Sequence, residues 1–362
     1  MAYLLAFIAA FGISLGLSMV VRAVALRVDY VDDPAHAPER TVHRERVPYG
    51  GGIVLLVSVI IVIVIVMLCG WWPHGAIKFK ELIGLFVGAL VLLIGGTVDD
   101  RKALKPRYQL IAPLIAISIV LASGIGISTL TNPLGNHFSL AWWHTPVFWL
   151  HGVFFIITLP ADALTIIWLL STIYTTKLLD GLDGLVSGIT TMGAVVLFFV
   201  SLLPVVGQND TAMLSIVLAG AAFALMIVQC KKRMLFLGEG GSTIAGFFLG
   251  VFAIINGGKI ATTMLIMGIP FFDLVWVMAR RALWERTSIT NADRKHLHFR
   301  LLDAGFTQPQ AVGLYLGLSF VFGLSAIMFQ TVQKFRVLAL MVIVMVVVAV
   351  TIVRLGAKNK NI

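Results

Sequence analysis

The residues of this chain best suited to chemistry are carboxylates gathered in short polar stretches, each at the mouth of a long apolar run: Asp99-Asp100, Asp180-Gly-Leu-Asp183, Glu239 and Asp293-Arg-Lys-His296-Leu-His298. Carboxylate oxygens are hard ligands that suit Mg²⁺, with Mn²⁺ as a substitute, and the Lys, Arg and Gly beside them suit phosphate oxygens. Acids and cations mixed at a bilayer surface point to metal-dependent phosphate chemistry.

Asp99 and Asp100 follow Gly95-Gly-Thr-Val and precede Arg101 and Lys102. Neighbours on a helix project about 100° apart. The two acids are therefore expected to do different jobs, one coordinating metal and the other orienting or deprotonating a substrate, unless the pair is a solvated helix end. Asp180 and Asp183, just after Lys177, form the most specific signal. Their spacing puts both on one helical face, and Gly181 and Gly184 clear that face for a bulky charged ligand. Acids this close to hydrocarbon are costly without a partner.

Glu239 lies amid glycines in Phe236-Leu-Gly-Glu-Gly-Gly-Ser242. It could reach a metal whose other ligands are phosphate oxygens, or favour the dipole of a helix opening near Thr243 with Ser242 as N-cap. His296 and His298 share a face only in extended backbone, so two contacts to one ligand require a non-helical loop there. A transition-metal site would need further His or Cys; the dominance of carboxylates favours Mg²⁺ and leaves the histidines and Arg294 to phosphate oxygens. The first polar stretch carries Val31-Asp-Asp-Pro34, then Arg40 and His43, then Gly50-Gly-Gly52, whose backbone N–H groups suit a phosphate or another loop. Asp273 sits inside an apolar run, where an acid is either functional or paired with a neighbouring base.

The elements that hold these residues must be transmembrane helices. With 59% hydrophobic and 12% charged residues, the 362 residues lack the polar surface of an ordinary soluble domain. Eleven apolar runs are expected to cross the hydrocarbon, about 30 Å thick, as helices: 3–26, 52–72, 82–98, 108–127, 161–178, 185–206, 211–229, 242–257, 260–280, 309–330 and 336–355. The chain is expected to be one all-α polytopic domain over 1–362, with 128–160 a re-entrant piece or small hairpin on the outer face.

Of the 27 Lys and Arg, all but Lys78, Lys80, Lys259, Lys334 and Arg336 fall on the face that carries the acidic motifs. Basic loops stay in the cytoplasm, so the expected orientation is N-terminus outside, C-terminus inside and motifs cytoplasmic, in a cell inner (plasma) membrane. The first helix is expected to be retained, because no basic residue precedes it and Arg22 and Arg27 follow it. Cys69 and Cys230 fall near opposite faces and are not expected to pair. The net charge of +10 is dispersed over short loops, which suits topology, lipid head groups and an anionic substrate rather than nucleic acid. Small-xxx-small pairs at Gly12/Gly16, Gly84/Gly88, Gly246/Gly250 and Gly313/Gly317 are expected to let helices pack closely.

Taken in order from about Asp32 to Gly305, five motifs resemble the polyprenyl-phosphate N-acetylhexosamine-1-phosphate transferase family of glycosyltransferase family 4. They are Asp-Asp-Pro…Arg-x-x-His…Pro-x-Gly-Gly-Gly, Gly-x-x-Asp99-Asp100, Asp180-Gly-x-Asp183-Gly-Leu, Phe-x-Gly-x-x-Gly-Ser242 and Asp293-Arg-x-His296-x-His298. The family includes enzymes that start enterobacterial common antigen, O-antigen and teichoic acid synthesis, and the phospho-MurNAc-pentapeptide translocase. The resemblance implies Mg²⁺-dependent transfer of a sugar 1-phosphate from a UDP-sugar to a membrane polyprenyl (undecaprenyl) phosphate, with release of UMP, and leaves room for a homodimer.

By matched position it implies that Asp99 and Asp100 handle metal and lipid phosphate, Asp180 and Asp183 the nucleotide and catalytic cleft, and Glu239 the metal, giving Asp100, Asp183 and Glu239 as the ligand set. Arg294, His296 and His298 would bind diphosphate and sugar, with Arg40, His43, Arg101 and Lys177 as further substrate contacts. The Asp-Arg-x-His-x-His form resembles the GlcNAc-1-phosphate branch. Lys177 stands where the family usually has Asn, Glu239 where it has Asp, Phe299 where a further His is common and Thr41 where Lys is usual, and three extra residues separate Pro34 from Arg40. The alternatives are the same reaction with GalNAc, a deoxy-sugar or MurNAc-pentapeptide, a multi-helix ion or solute transporter, and a scaffold for envelope assembly.

Overall fold

The computed structural model describes residues 1–32, 46–73, 75, 77–131, 137–140, 142–150, 153–230, 234–257, 260–281, 296–329 and 331–359. Every apolar run of the sequence is helical: α1 (Ala2–Arg27), α2 (Gly51–Leu68), α3 (Phe79–Lys102), α4 (Pro106–Gln109) continuing into α5 (Ile111–Ser123), α6 (Leu159–Leu179), α7 (Leu185–Ser201), α8 (Asn209–Cys230), α9 (Gly238–Ile255), α10 (Ile260–Arg280), α12 (Gln308–Met328) and α13 (Thr331–Asn359). A short α11 (Leu297–Asp303) precedes α12. In lipid a helix satisfies its own backbone polar groups, which is why apolar sequence takes this form. Among the described residues 8 helices are long and apolar enough to cross a membrane: α1, α2, α3, the joined α4 and α5, α8, α9, α10 and α12. The protein is an all-α, multi-pass membrane protein.

The described residues between α5 and α6 form antiparallel strand pairs rather than a span. β3 (Thr129–Thr131) pairs antiparallel with β4 (His137–Ser139), and β5 (His144–Leu150) with β6 (Val153–Thr158). They join the end of α5 to the start of α6, so they hang from the end of the bundle opposite the C-terminus of α3, where Asp99 and Asp100 lie. A smaller antiparallel pair, β1 (Val31–Asp32) with β2 (Val47–Pro48), closes the first polar stretch at that other end.

α9 is the axis of the bundle, with Phe247, Phe248 and Phe252 fully buried. It can be gripped closely because it is rich in glycine. A methyl on Gly246 or Gly250 would strike Thr172 of α6, and the indole N–H of Trp168 donates to the Gly250 carbonyl at 3.1 Å. Gly84 and Gly88 of α3 likewise abut Ser123 and Phe247. The pairs Gly12/Gly16 and Gly313/Gly317 do not serve helix packing: they are exposed and nothing lies within 4 Å of where their Cβ would be. α1 instead buries a stripe of Ala6, Ala10, Ser14 and Ser18, with the Ser14 hydroxyl donating to the Ala221 carbonyl of α8 at 2.9 Å. Cys69 and Cys230 are both free thiols, as the topology requires.

Two local expectations are corrected. The stretch 180–184 is a turn between α6 and α7, not helix, so Asp180 and Asp183 do not share a helical face; Gly184 at φ +79 opens α7 in a conformation that L side chains rarely adopt. And α9 begins at Gly238, not near Thr243, so Ser242 is no N-cap: its hydroxyl donates back to the carbonyls of Gly238 at 3.1 Å and Glu239 at 3.2 Å.

Candidate active site

The site is assembled where the ends of α3 and α6 meet the start of α9, and glycines make the meeting close. A methyl on Gly52 of α2 would lie 2.5 Å from the Gly241 nitrogen, and one on Gly96 of α3 would overlap Gly240. Gly51 and Gly52 donate their N–H groups to the carbonyls of Phe236 at 2.9 Å and Leu237 at 3.0 Å. Of the two ligands suited to the Gly50–Gly52 stretch, another loop takes its amides. The first turn of α9, with Glu239 in it, is thereby fixed against α2 and α3.

Asp99 and Asp100 do point to different tasks. Asp100 accepts from the Tyr30 hydroxyl at 2.6 Å on one oxygen and from the Glu239 N–H at 2.9 Å on the other, tying the α1–β1 connection to the start of α9. Burial and the Asp100 charge push the Tyr30 phenol far up, so it stays a donor. Arg101 lies over the Tyr30 ring, 5.0 Å from its centroid. Asp99 accepts from the Leu104 N–H at 2.7 Å and the Gln109 amide at 3.2 Å, and its second oxygen lies 3.7 Å from the Lys177 ammonium.

Lys177 is the hub. Its ammonium forms an ion pair with Glu239, donates to the Gln109 carbonyl oxygen at 2.9 Å and lies 5.5 Å from the centre of the Tyr174 ring. Two of the departures from the family pattern thus meet as one salt bridge. Asp183 accepts from the Gln308 amide at 2.8 Å. Asp180 is exposed, yet burial by surrounding atoms and then the charges of Glu239, Asp100 and Asp183 hold its carboxyl well above the usual range, against the pull of a bond from Ser242. Accessible surface combined with crowding by like charges describes the wall of a cleft.

The histidines close another side. Asp273 accepts from the His296 ring at 3.0 Å and from the Leu297 N–H at 2.9 Å, so the acid inside α10 is a buried pair that seats the start of α11. His296 caps α11 in extended backbone and His298 lies within it, their rings 5.7 Å apart and nearly parallel. His298 is completely buried beside Gly181 of the Asp180 turn, and neither ring nitrogen has a hydrogen-bond partner among the described residues. Arg40, His43 and Arg294 lie outside the described residues.

Tyr30, Gln109 and Tyr174 escaped the sequence reading. Gln109 could have been found as a lone amide at the head of an apolar run. The tyrosines gave no such signal.

For a divalent cation the donor chemistry fits: Asp99, Asp100, Asp180, Asp183 and Glu239 are hard oxygen donors whose charges act on one another. Among the described residues no three His, Cys, Asp or Glu side chains are grouped to hold an ion as they stand. Beside this cluster lies a cavity of about 540 Å³ between α3, α5 and α6, walled by Val91, Ile94, Ile111, Ala112 and Ile115 and ending on Asp99, Lys177 and Glu239.

Fold and site together define a polytopic membrane protein with a cluster of carboxylates at one end. Residues 82–257 match the model of glycosyl transferase family 4. It is similar to a probable undecaprenyl-phosphate N-acetylglucosaminyl 1-phosphate transferase of Bacillus subtilis strain 168, 23% identical over 92% of this chain and 87% of the relative. A decaprenyl-phosphate N-acetylglucosaminephosphotransferase of Mycolicibacterium smegmatis is 25% identical over 91% and 83%. An undecaprenyl-phosphate alpha-N-acetylglucosaminyl 1-phosphate transferase of Yersinia pestis is 25% identical over 82% and 76%.

Proposed function

We propose that this protein transfers N-acetylglucosamine 1-phosphate from UDP-GlcNAc to polyprenyl phosphate, releasing UMP and forming the polyprenyl diphosphate sugar, the first membrane step of an envelope polysaccharide. The observation that carries the reading is the 540 Å³ cavity, apolar along its walls and charged at its end, which suits a lipid chain capped by a phosphate. The relatives, named for this transfer to undecaprenyl or decaprenyl phosphate, support it. All eleven helical runs cross the inner membrane in this reading, with the carboxylates on the cytoplasmic side where the nucleotide sugar is found.

An oxygen of the lipid phosphate attacks the phosphorus attached to the sugar, and the bond to UMP breaks. A phosphate monoester has its second pKa near 6, so the acceptor arrives ionised and needs orientation more than a strong base. Asp99, with Lys177 and Gln109, holds the acceptor end. Asp180 and Asp183 line the nucleotide side, Arg294, Arg40, His43 and Arg101 contact diphosphate and sugar, and His296 and His298, buried as they stand, reach the sugar side only when the start of α11 moves. Asp100, Asp183 and Glu239 are the residues to hold Mg²⁺, which when bound neutralises the charge gathering on the phosphate oxygens. Phosphoryl transfer of this kind rests on positioning and charge, which is why direct attack is preferred over a covalent intermediate.

The test is purified protein in detergent with undecaprenyl phosphate, Mg²⁺ and a panel of UDP-sugars. Labelled lipid and UMP with UDP-GlcNAc are expected, and their loss in Asp183→Asn with the helical fold retained. Product only with UDP-GalNAc or a deoxy-sugar overturns the donor. Absence of UMP with every donor overturns the reaction and leaves transport or scaffolding.

A further inference from the structure

Resting on that reading, we infer that Lys177 is a resident cation of the carboxylate cluster, which a divalent ion must displace from Glu239 before it can bind there. Three observations carry it. The Lys177 ammonium pairs with Glu239, lies 3.7 Å from Asp99 and is held by Gln109 at 2.9 Å. The charges of Asp99, Asp100, Asp180, Asp183 and Glu239 act on one another, and the ammonium, largely buried, is seated against two of them, Glu239 and Asp99. Among the described residues no three such donors are grouped around one point as they stand, so an ion can bind only if the side chains around Glu239 rearrange. A carboxylate cannot give its full charge to an ammonium and to a metal at once, so the two cations compete.

Lys177 also lines the apolar cavity. Once displaced, its flexible stem can carry the ammonium toward the phosphate of an acceptor lipid while staying on Asp99 and Gln109. The lysine then serves as a lock: without substrate it holds the cluster compact, and metal must work against it to enter.

The experiment is Mn²⁺ binding to the full-length protein in detergent, followed by electron paramagnetic resonance, with no substrate present. Lys177→Met and Lys177→Asn should bind Mn²⁺ about tenfold or more tightly than the parent, and Lys177→Arg, which keeps the cation, should not. In a Glu239→Gln background, Lys177→Met should change the affinity far less, which places the competition at Glu239. Equal or weaker Mn²⁺ binding in Lys177→Met and Lys177→Asn, or no saturable binding in any form, overturns the inference. UMP release is read separately, so a chain that performs the transfer with metal affinity unaltered by Lys177→Met refutes the lock and spares the function.

Discussion

Replacing Gly96 by Ala tests whether the site depends on how closely α3 meets α9. The new methyl would overlap the backbone of Gly240, next to Glu239, and backbone cannot rotate out of the way as a side chain can. Against this, Ala gains about 1 kcal/mol of helix propensity over Gly. Overpacking costs about 1–3 kcal/mol, so the net loss of stability is modest, about 0–2 kcal/mol. The functional loss should be larger, because relief requires the first turn of α9 to shift, and a displacement of about 1 Å costs about 100-fold in rate. Gly313→Ala is the matched control on an exposed helix face, where nothing lies within 4 Å of the new methyl. UMP release and thermal unfolding in detergent, measured side by side, should show Gly313→Ala at the parent's rate with melting at or slightly above the parent's, and Gly96→Ala down about 100-fold in rate with a small change in melting. A Gly96→Ala protein as active as Gly313→Ala would refute the claim that this contact sets the position of Glu239.

Asp273→Asn turns one acceptor oxygen into an NH₂ donor, so both bonds to His296 and Leu297 survive only if the His296 ring changes tautomer, and otherwise a buried donor is left unpaired at a cost of about 1–3 kcal/mol. It should raise KM for the UDP-sugar more than it lowers kcat, and unchanged KM and melting would count against a seating role. Burial first, and then the neighbouring His296, push the His298 ring down to about 4, against a partial pull upward from Asp273. The unfolded chain, titrating near 6.5, then holds more protons than the folded one between those values. Stability should therefore be full above about pH 6.5 and fall as the pH drops toward about 4, by up to about 3 kcal/mol from this residue. Melting curves from pH 8 to 5 should flatten in His298→Leu; curves parallel to the parent's would contradict the burial.

The sequence made Asp99 and Asp100 separable because adjacent helical residues must diverge, and the structure sends one to Gln109 and Lys177 and the other to Tyr30 and the Glu239 N–H. The same geometric rule misled at Asp180 and Asp183, since it assumes helix and the glycines there make a turn. Ser242 misled for a related reason: Gly240 and Gly241, poor helix formers alone, are held in α9 by their packing against α3 and α2. Tertiary contact outweighs local propensity there. Lys177 and Glu239 could each be flagged as unusual, but their pairing joins residues far apart in sequence that no spacing rule connects. The helices themselves were legible because a lipid environment allows apolar sequence few other forms.

The full enclosure of α9 has a bearing on how such proteins diverge. A strut touched on every side, with glycine and phenylalanine interlocked against the helices around it, admits little drift, whereas the exposed apolar sides of α1 and α12 ask only for greasiness. Where relatives share only about a quarter of their residues with this chain, the shared positions are expected to gather on this central helix rather than on the periphery.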